Sequence, residues 1–277
     1  MGKGTGLIGN FKGKVGNTVG YKISASNTGN TQGIRVYQPI VKNPKTSAQA
    51  EQRAKLAPIN ATYRALKMVI DRGNESLPYG NKSRLAWLKQ AFKAEYMPWF
   101  VKDAVITDPV VCQLTKGSLP ALDFTVDDSS ILVSVPGTTT ETAVNKVSAV
   151  STAFMAAYPF LKNGDQITFV YLSHAAGALQ SRMFSFQINS KSTEAISGFT
   201  ANADTIDFSF NMDGGFGAVI VSREGYNGEH LRSNTSLKIW RDIATNAPYD
   251  ATSKAAAVES YMSSASTNSD WAEESIQ

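Results

Sequence analysis

Near residue 105 the hydrophobic pattern of the chain changes period, and this change constrains the fold more than any other feature. Downstream, apolar and polar residues alternate in short runs at 110–114, 122–126, 131–135, 144–149, 166–172, 183–188, 205–210, 218–221 and 237–240. Alternation sends successive side chains to opposite faces, so each run suits a half-buried strand. Turn formers separate the runs, among them Lys116-Gly117-Ser118, Asp127-Asp128, Pro136-Gly137, Asn163-Gly164-Asp165 and Asp213-Gly214-Gly215. Short strands at this spacing predict an antiparallel β-sandwich over residues 105–245, Ig-like or jelly-roll, or two small sandwiches in series.

Upstream the period is helical. Thr46 with Gln49 three residues on matches a capping box, and a helix over residues 47–71 follows. Pro58 falls inside it, which predicts a kink or break there. Beyond the proline, Ile59, Tyr63, Leu66 and Ile70 repeat at helical spacing, and Arg72-Gly73-Asn74 stops the helix. A second helix is predicted over residues 82–97, with Leu85, Leu88, Phe92 and Tyr96 on one face and Pro98 at its end. The two would pack as an antiparallel pair, hiding the aromatic stripe and showing a basic one. Trp87, Phe92, Tyr96, Trp99 and Phe100, interleaved with Lys89, Lys93 and Lys102, also carry the vocabulary of base stacking, with Trp87 off the core stripe.

Residues 1–36 hold nine glycines with isolated apolar residues between them. Such density argues against a helix and for an arm that orders only against something else. Within it, the stretches 18–24 and 33–38 suit strands around a turn at residues 26–30, predicting a hairpin of residues 18–38. The class is therefore α+β: a basic Gly-rich arm with a hairpin (1–42), a helical segment (43–104), an antiparallel β domain (105–245) and an Ala/Ser-rich tail (246–277). Within that tail, residues 250–264 suit a helix.

Charge is divided along the same axis. Residues 1–106 hold 17 Lys/Arg against 5 Asp/Glu, a net of +12; residues 107–277 hold 10 against 18, a net of −8. No acid occurs before Glu51. A segment of this kind attracts polyanions, because each phosphate it neutralises releases a condensed counterion. The candidate contact residues are Lys3, Lys12, Lys14, Lys22, Arg35, Lys42 and Lys45 in the arm, with Arg53, Arg64, Lys67, Arg84, Lys89 and Lys93 in the helical segment. Their partner is nucleic acid or the acidic face of a neighbouring subunit.

Little points to catalysis. The single cysteine, Cys112, excludes an intramolecular disulfide and sits in an apolar strand, as an inert core thiol does. His174 and His230 have no nucleophile elbow to serve. Gly4-Thr5-Gly6-Leu7-Ile8-Gly9 spells a dinucleotide fingerprint but lacks a preceding strand and the acid roughly 20 residues on. Asp127-Asp128 and Asp204, Asp207 and Asp213 lack the ligand order of a calcium loop and read as turn acids. No cofactor or metal is expected. No apolar run approaches the roughly 20 residues of a membrane helix, and no apolar segment of a secretory signal is evident near Met1.

The Gly-rich segment of residues 9–20, the run Asn43-Pro44-Lys45-Thr46 with Gln49, Gln52 and Arg53, and Lys116-Gly117-Ser118-Leu119 together resemble an uncharacterised family of bacterial and phage-associated proteins, a domain of unknown function. Lys45 stands where that signature usually has Arg. The resemblance covers roughly residues 6–125 and brings no catalytic residues with it. It implies this architecture and a non-enzymatic role. The charge division, the Gly-rich arm and the lack of an evident secretion signal lead in turn to the expectation of an oligomeric, virion-associated or capsid-like structural protein, of the virion or of the producing cell's cytoplasm, whose basic arm meets nucleic acid or a neighbour. The competing expectation is a cell-associated Ig-like adhesion module for protein or glycan, with the arm added as a strand to its own β domain.

Overall fold

The computed structural model describes residues 13–15, 17–23, 31–36, 46–94, 96–137, 142–173, 178–210, 214–225, 228, 230–240 and 248–263. They fall into two compact units, one within residues 1–45 and one spanning residues 46–263. The class is α+β, with four helices and antiparallel sheets among the described residues. Among the described residues, no helix is long and apolar enough to cross a membrane.

The first unit is a three-stranded antiparallel sheet of β1 (Gly13–Val15), β2 (Thr18–Ile23) and β3 (Thr31–Val36), in that order. The expected hairpin is thus present and extended by one strand. The turn expected at residues 26–30 and the dinucleotide-like glycines lie outside the described residues.

The second unit opens with α1 (Ser47–Ile70), whose start is fixed by Thr46: its hydroxyl accepts from the Gln49 N–H at 3.4 Å. The helix passes through Pro58 and instead leaves helical geometry at Leu66 (φ −108°, ψ 19°). The cause lies across the packing interface. Ser181 donates its hydroxyl to the carbonyl of Ala65 and competes with the helix's own N–H there. The kink expected at Pro58 is displaced to the point where a foreign donor enters the ladder.

The second helix, α2 (Asn81–Ala91), is shorter than its periodicity suggested and buries another face. Ser83, Trp87 and Ala91 face the core, whereas Leu85 is half exposed and Tyr96 lies outside the helix, also exposed. Two of these three are small, and the Ser83 hydroxyl joins α2 to α1 by bonding the Ile70 carbonyl at 2.7 Å. Trp87, taken as the ring off the stripe, is 4% exposed and therefore a core ring rather than a stacking platform.

Beyond them come β4 (Gln113–Thr115), β5 (Phe124–Val126), β6 (Ser130–Ser134), β7 (Thr142–Lys146), α3 (Val147–Ala157), β8 (Gln166–Ser173), β9 (Gln180–Gln187), β10 (Ala195–Asn202) and β11 (Thr205–Ser209). The chain continues through β12 (Phe216–Glu224), β13 (His230–Arg232), β14 (Thr235–Ser236), β15 (Lys238–Ile239) and α4 (Ala251–Ser263). One five-stranded sheet runs β5-β6-β11-β10-β7; a second runs β13-β12-β8-β9, with β15 also paired to β12; β14 pairs with β4. The strand expected at 144–149 gives way to α3 after Lys146, and β10 was not anticipated.

The two large sheets share a phenylalanine cluster. Phe169 of β8 and Phe184 of β9 meet Phe208 of β11 at 5.3 and 4.5 Å between ring centroids, and Phe199 of β10 stands edge-on to Phe169 at 5.7 Å. Such contacts add about 0.5–1.5 kcal/mol per pair beyond area burial. The other face of the β8-containing sheet is also buried, through Val170, Leu172, Ala218 and Ile220. Ser181, register partner of Leu172, bonds α1, which places the helical segment over that face.

The C-terminal helix is docked. Lys254 and Lys55 both bond Glu51, at 3.2 and 2.9 Å, and lie over the ring of Trp99 at 5.1 and 5.7 Å. These two lysines hold the Glu51 carboxyl below its ordinary range. Tyr249 donates to the Pro109 carbonyl, and burial pushes its phenol well above the ordinary range.

Candidate functional site

Where the helical cover ends, the outer face of the β8-containing sheet opens into a cleft of about 620 Å³. Its floor is one cross-strand row. Gln187 of β9 is the register partner of Gln166 of β8, Gln166 of Ser222 of β12, and Ser222 of Arg232 of β13. Residues opposite one another in antiparallel strands share a face, so four polar side chains span about 14 Å at the sheet's interstrand spacing. Two positions along, the opposed pair Glu224 and His230 continues the same face.

The wall comes from the loop between α1 and α2. Tyr79, 48% exposed, stands between the Arg72 guanidinium, 5.8 Å from its ring centroid, and the His230 ring at 5.6 Å. The loop is clasped to the sheet by Glu75. Its carboxylate accepts from the Ser118 N–H at 2.9 Å, the Ser118 hydroxyl and the Arg232 N–H at 3.0 Å. Burial alone would raise the Glu75 pKa, but these hydrogen bonds and the positive charge of Arg232 hold it below its ordinary range. Gly117 makes the clasp possible: a Cβ there would lie 2.1 Å from the Arg232 carbonyl oxygen. The Lys116-Gly117-Ser118-Leu119 element is thus the pin that joins helical segment and sheet.

The three arginines of the cleft differ in state. Arg223 is committed: it forms a bidentate pair with Asp165 at 2.6 and 2.7 Å and donates to the Phe160 carbonyl. Arg72 and Arg232 have no carboxylate within ion-pair distance among the described residues, and the Arg232 Nε is buried without a hydrogen-bond partner.

The sequence-expected contact residues are distributed differently. Lys3, Lys12, Lys42 and Lys45 lie outside the described residues. Lys14 and Arg35 are both register partners of Val19, one from each side, and Lys22 is opposite Gln32. On the helices, Arg64, Lys67 and Lys89 are exposed and Arg53 is half-buried; Lys93, just past the end of α2, is exposed. Arg84 lies over the Tyr63 ring at 4.6 Å, where it serves the α1–α2 contact.

Of the other candidates, Cys112 is buried beside Trp87, and burial pushes its thiol up to about 12, so it carries no thiolate at neutral pH. Asp127 accepts from the Asp128 N–H and Asp204 from the Gly137 N–H, as turn acids do. His174 and Asp213 lie outside the described residues. His230 is placed in the cleft, which spacing along the chain did not foretell. No family model, no curated protein and no solved structure matches the chain.

Proposed function

We propose that this chain is a non-catalytic structural protein of a virion-like or capsid-like assembly, in which an Ig-like β-sandwich is the rigid body and the basic N-terminal segment is the contact. Support for the sandwich comes from strand order. In chain sequence, β5, β6, β8, β9, β10, β11, β12 and β13 take the places A, B, C, C′, D, E, F and G of an Ig domain. The sheets β5-β6-β11-β10 and β13-β12-β8-β9 then correspond to ABED and GFCC′. β7 and α3 are inserted between B and C, with β7 on the free edge of D. This order favours the Ig-like reading over a jelly roll.

The observation that carries the assembly reading is the N-terminal sheet. Its three described strands pair with one another in a sheet of their own, in a unit distinct from the β domain. An adhesion module with an added strand would place one of them in a large sheet. The segment has seven basic side chains and no acid within its first 50 residues. Its partner is accordingly a polyanion or the acidic face of a second copy.

Sedimentation of the full chain with duplex and single-stranded DNA, at two ionic strengths, tests this. With six to ten phosphate contacts, affinity falls about a thousandfold or more between 50 and 200 mM salt. Replacing Lys14, Lys22 and Arg35 with Ser lowers the salt slope and leaves the melting temperature of the β domain unchanged. Salt-independent binding, or a strict monomer without DNA affinity, overturns the reading.

A further inference from the structure

We propose that the cleft bounded by Tyr79 and the Gln187–Gln166–Ser222–Arg232 row is a binding site for an acidic saccharide, a pyranose bearing one carboxylate. This inference goes beyond the assembly reading and does not depend on it. Three observations carry it. The first is size: about 620 Å³ admits a mono- or disaccharide and lies within the range of small-molecule sites.

The second is the chemistry of the floor. Two amides, a hydroxyl and a guanidinium stand side by side on adjacent strands at a spacing set by the sheet. Gln187 gives one donor to the Gly164 carbonyl at 3.1 Å and Ser222 its hydroxyl to the Gln166 carbonyl at 3.5 Å, which leaves acceptors and further donors along the row. A polyhydroxylated ring, each of whose hydroxyls donates and accepts, matches such a row. An apolar ligand does not, because it would desolvate the row and offer its remaining donors and acceptors no partner.

The third is charge. Arg72 and Arg232 make no ion pair among the described residues. Although the Arg232 charge also acts on the Glu75 carboxylate, the Arg232 Nε is buried without a partner, so the site holds guanidinium donors that no described carboxylate takes up directly. Glu224 faces the same space and limits how much negative charge the ligand can bring. A phosphate dianion would meet it with repulsion. A single carboxylate on Arg232, with a neighbouring hydroxyl donating to Glu224, satisfies both groups. The site is also held ready. The Glu75 clasp fixes the Tyr79 loop, and the bidentate Arg223–Asp165 pair fixes the end of β12, so little ordering is needed on binding.

Titrations of the full chain with D-glucuronate, D-glucose and glucose 6-phosphate, followed by ligand-observed NMR, test the proposal. Glucuronate is expected to bind in the millimolar range, about tenfold or more tighter than glucose. Arg232→Gln should erase that preference. Gln166→Ala, at an exposed position outside the clasp, should weaken glucuronate severalfold while the melting temperature stays unchanged. The variant lacking Lys14, Lys22 and Arg35 should bind glucuronate as the parent does, which separates this site from the N-terminal contact. Equal affinity for glucose and glucuronate, tighter binding of the phosphate ester, or no binding at about 20 mM ligand overturns the proposal.

Discussion

At the scale of single residues, Glu75 and Gly117 do more than their polarity and size announce. Glu75 collects three donors from two distant segments, Ser118 and Arg232, and its pKa is depressed in the folded state. A depressed carboxylate contributes stability that is fully present above its unfolded pKa and is lost as pH falls through the folded value. Urea midpoints measured from pH 7 to pH 3 should therefore decline from about pH 5 downward. Glu75→Gln should be less stable at neutral pH and show a shallower decline. An unchanged slope would mean that other carboxylates dominate acid unfolding. Gly117→Ala forces a methyl group against the Arg232 carbonyl, and a backbone atom cannot rotate away. Urea denaturation should show a loss of about 1–3 kcal/mol, the usual range for overpacking. Neither role was visible in the sequence, where Lys116-Gly117-Ser118 is a turn signal and Glu75 an isolated acid.

Among the elements, legibility followed pattern strength. Strands with clear alternation, such as β6, β8 and β11, lie within a residue or two of where their periodicity put them. The start of α1 was legible because Thr46 caps it. By contrast, α3 begins at Val147 without a side-chain cap, in a run of Val, Ser and Ala that reads as strand. In α2 the stripe with most apolar residues was not the buried one: Ser83, bonded to the Ile70 carbonyl, Trp87 and Ala91 face the core instead. The cleft is the least legible feature of all. Its wall and floor come from residues up to 160 apart, and only the strand register brings Gln187, Gln166, Ser222 and Arg232 into one row. The helix α4 provides an element-scale prediction. Removing residues 248–277 takes away Lys254, Tyr249 and buried Ala257, and should uncover Trp99. Tryptophan emission should shift to the red and the melting temperature fall; an unchanged spectrum would show that α4 adds nothing to the environment of Trp99.

At the scale of the whole 46–263 unit, the phenylalanine cluster packs the two large sheets against one another, which predicts that they unfold together. Phe208 touches rings from both, and Phe208→Ala should cost about 3–5 kcal/mol, the range for a large aromatic cut from a core. Hydrogen exchange should show β6, β8, β11 and β12 losing protection together in this variant. Loss confined to one sheet would mean that the sheets fold separately.

The pairing of Lys254 with Glu51 has a topological corollary. It puts the first and last helices of the 46–263 unit side by side, so the chain enters and leaves this body at neighbouring points. A unit with adjoining ends behaves as a cassette. Splicing this unit into a host loop, or joining its ends by a short linker and reopening the chain elsewhere, is therefore expected to preserve its far-UV circular dichroism spectrum, and loss of that spectrum would refute the idea.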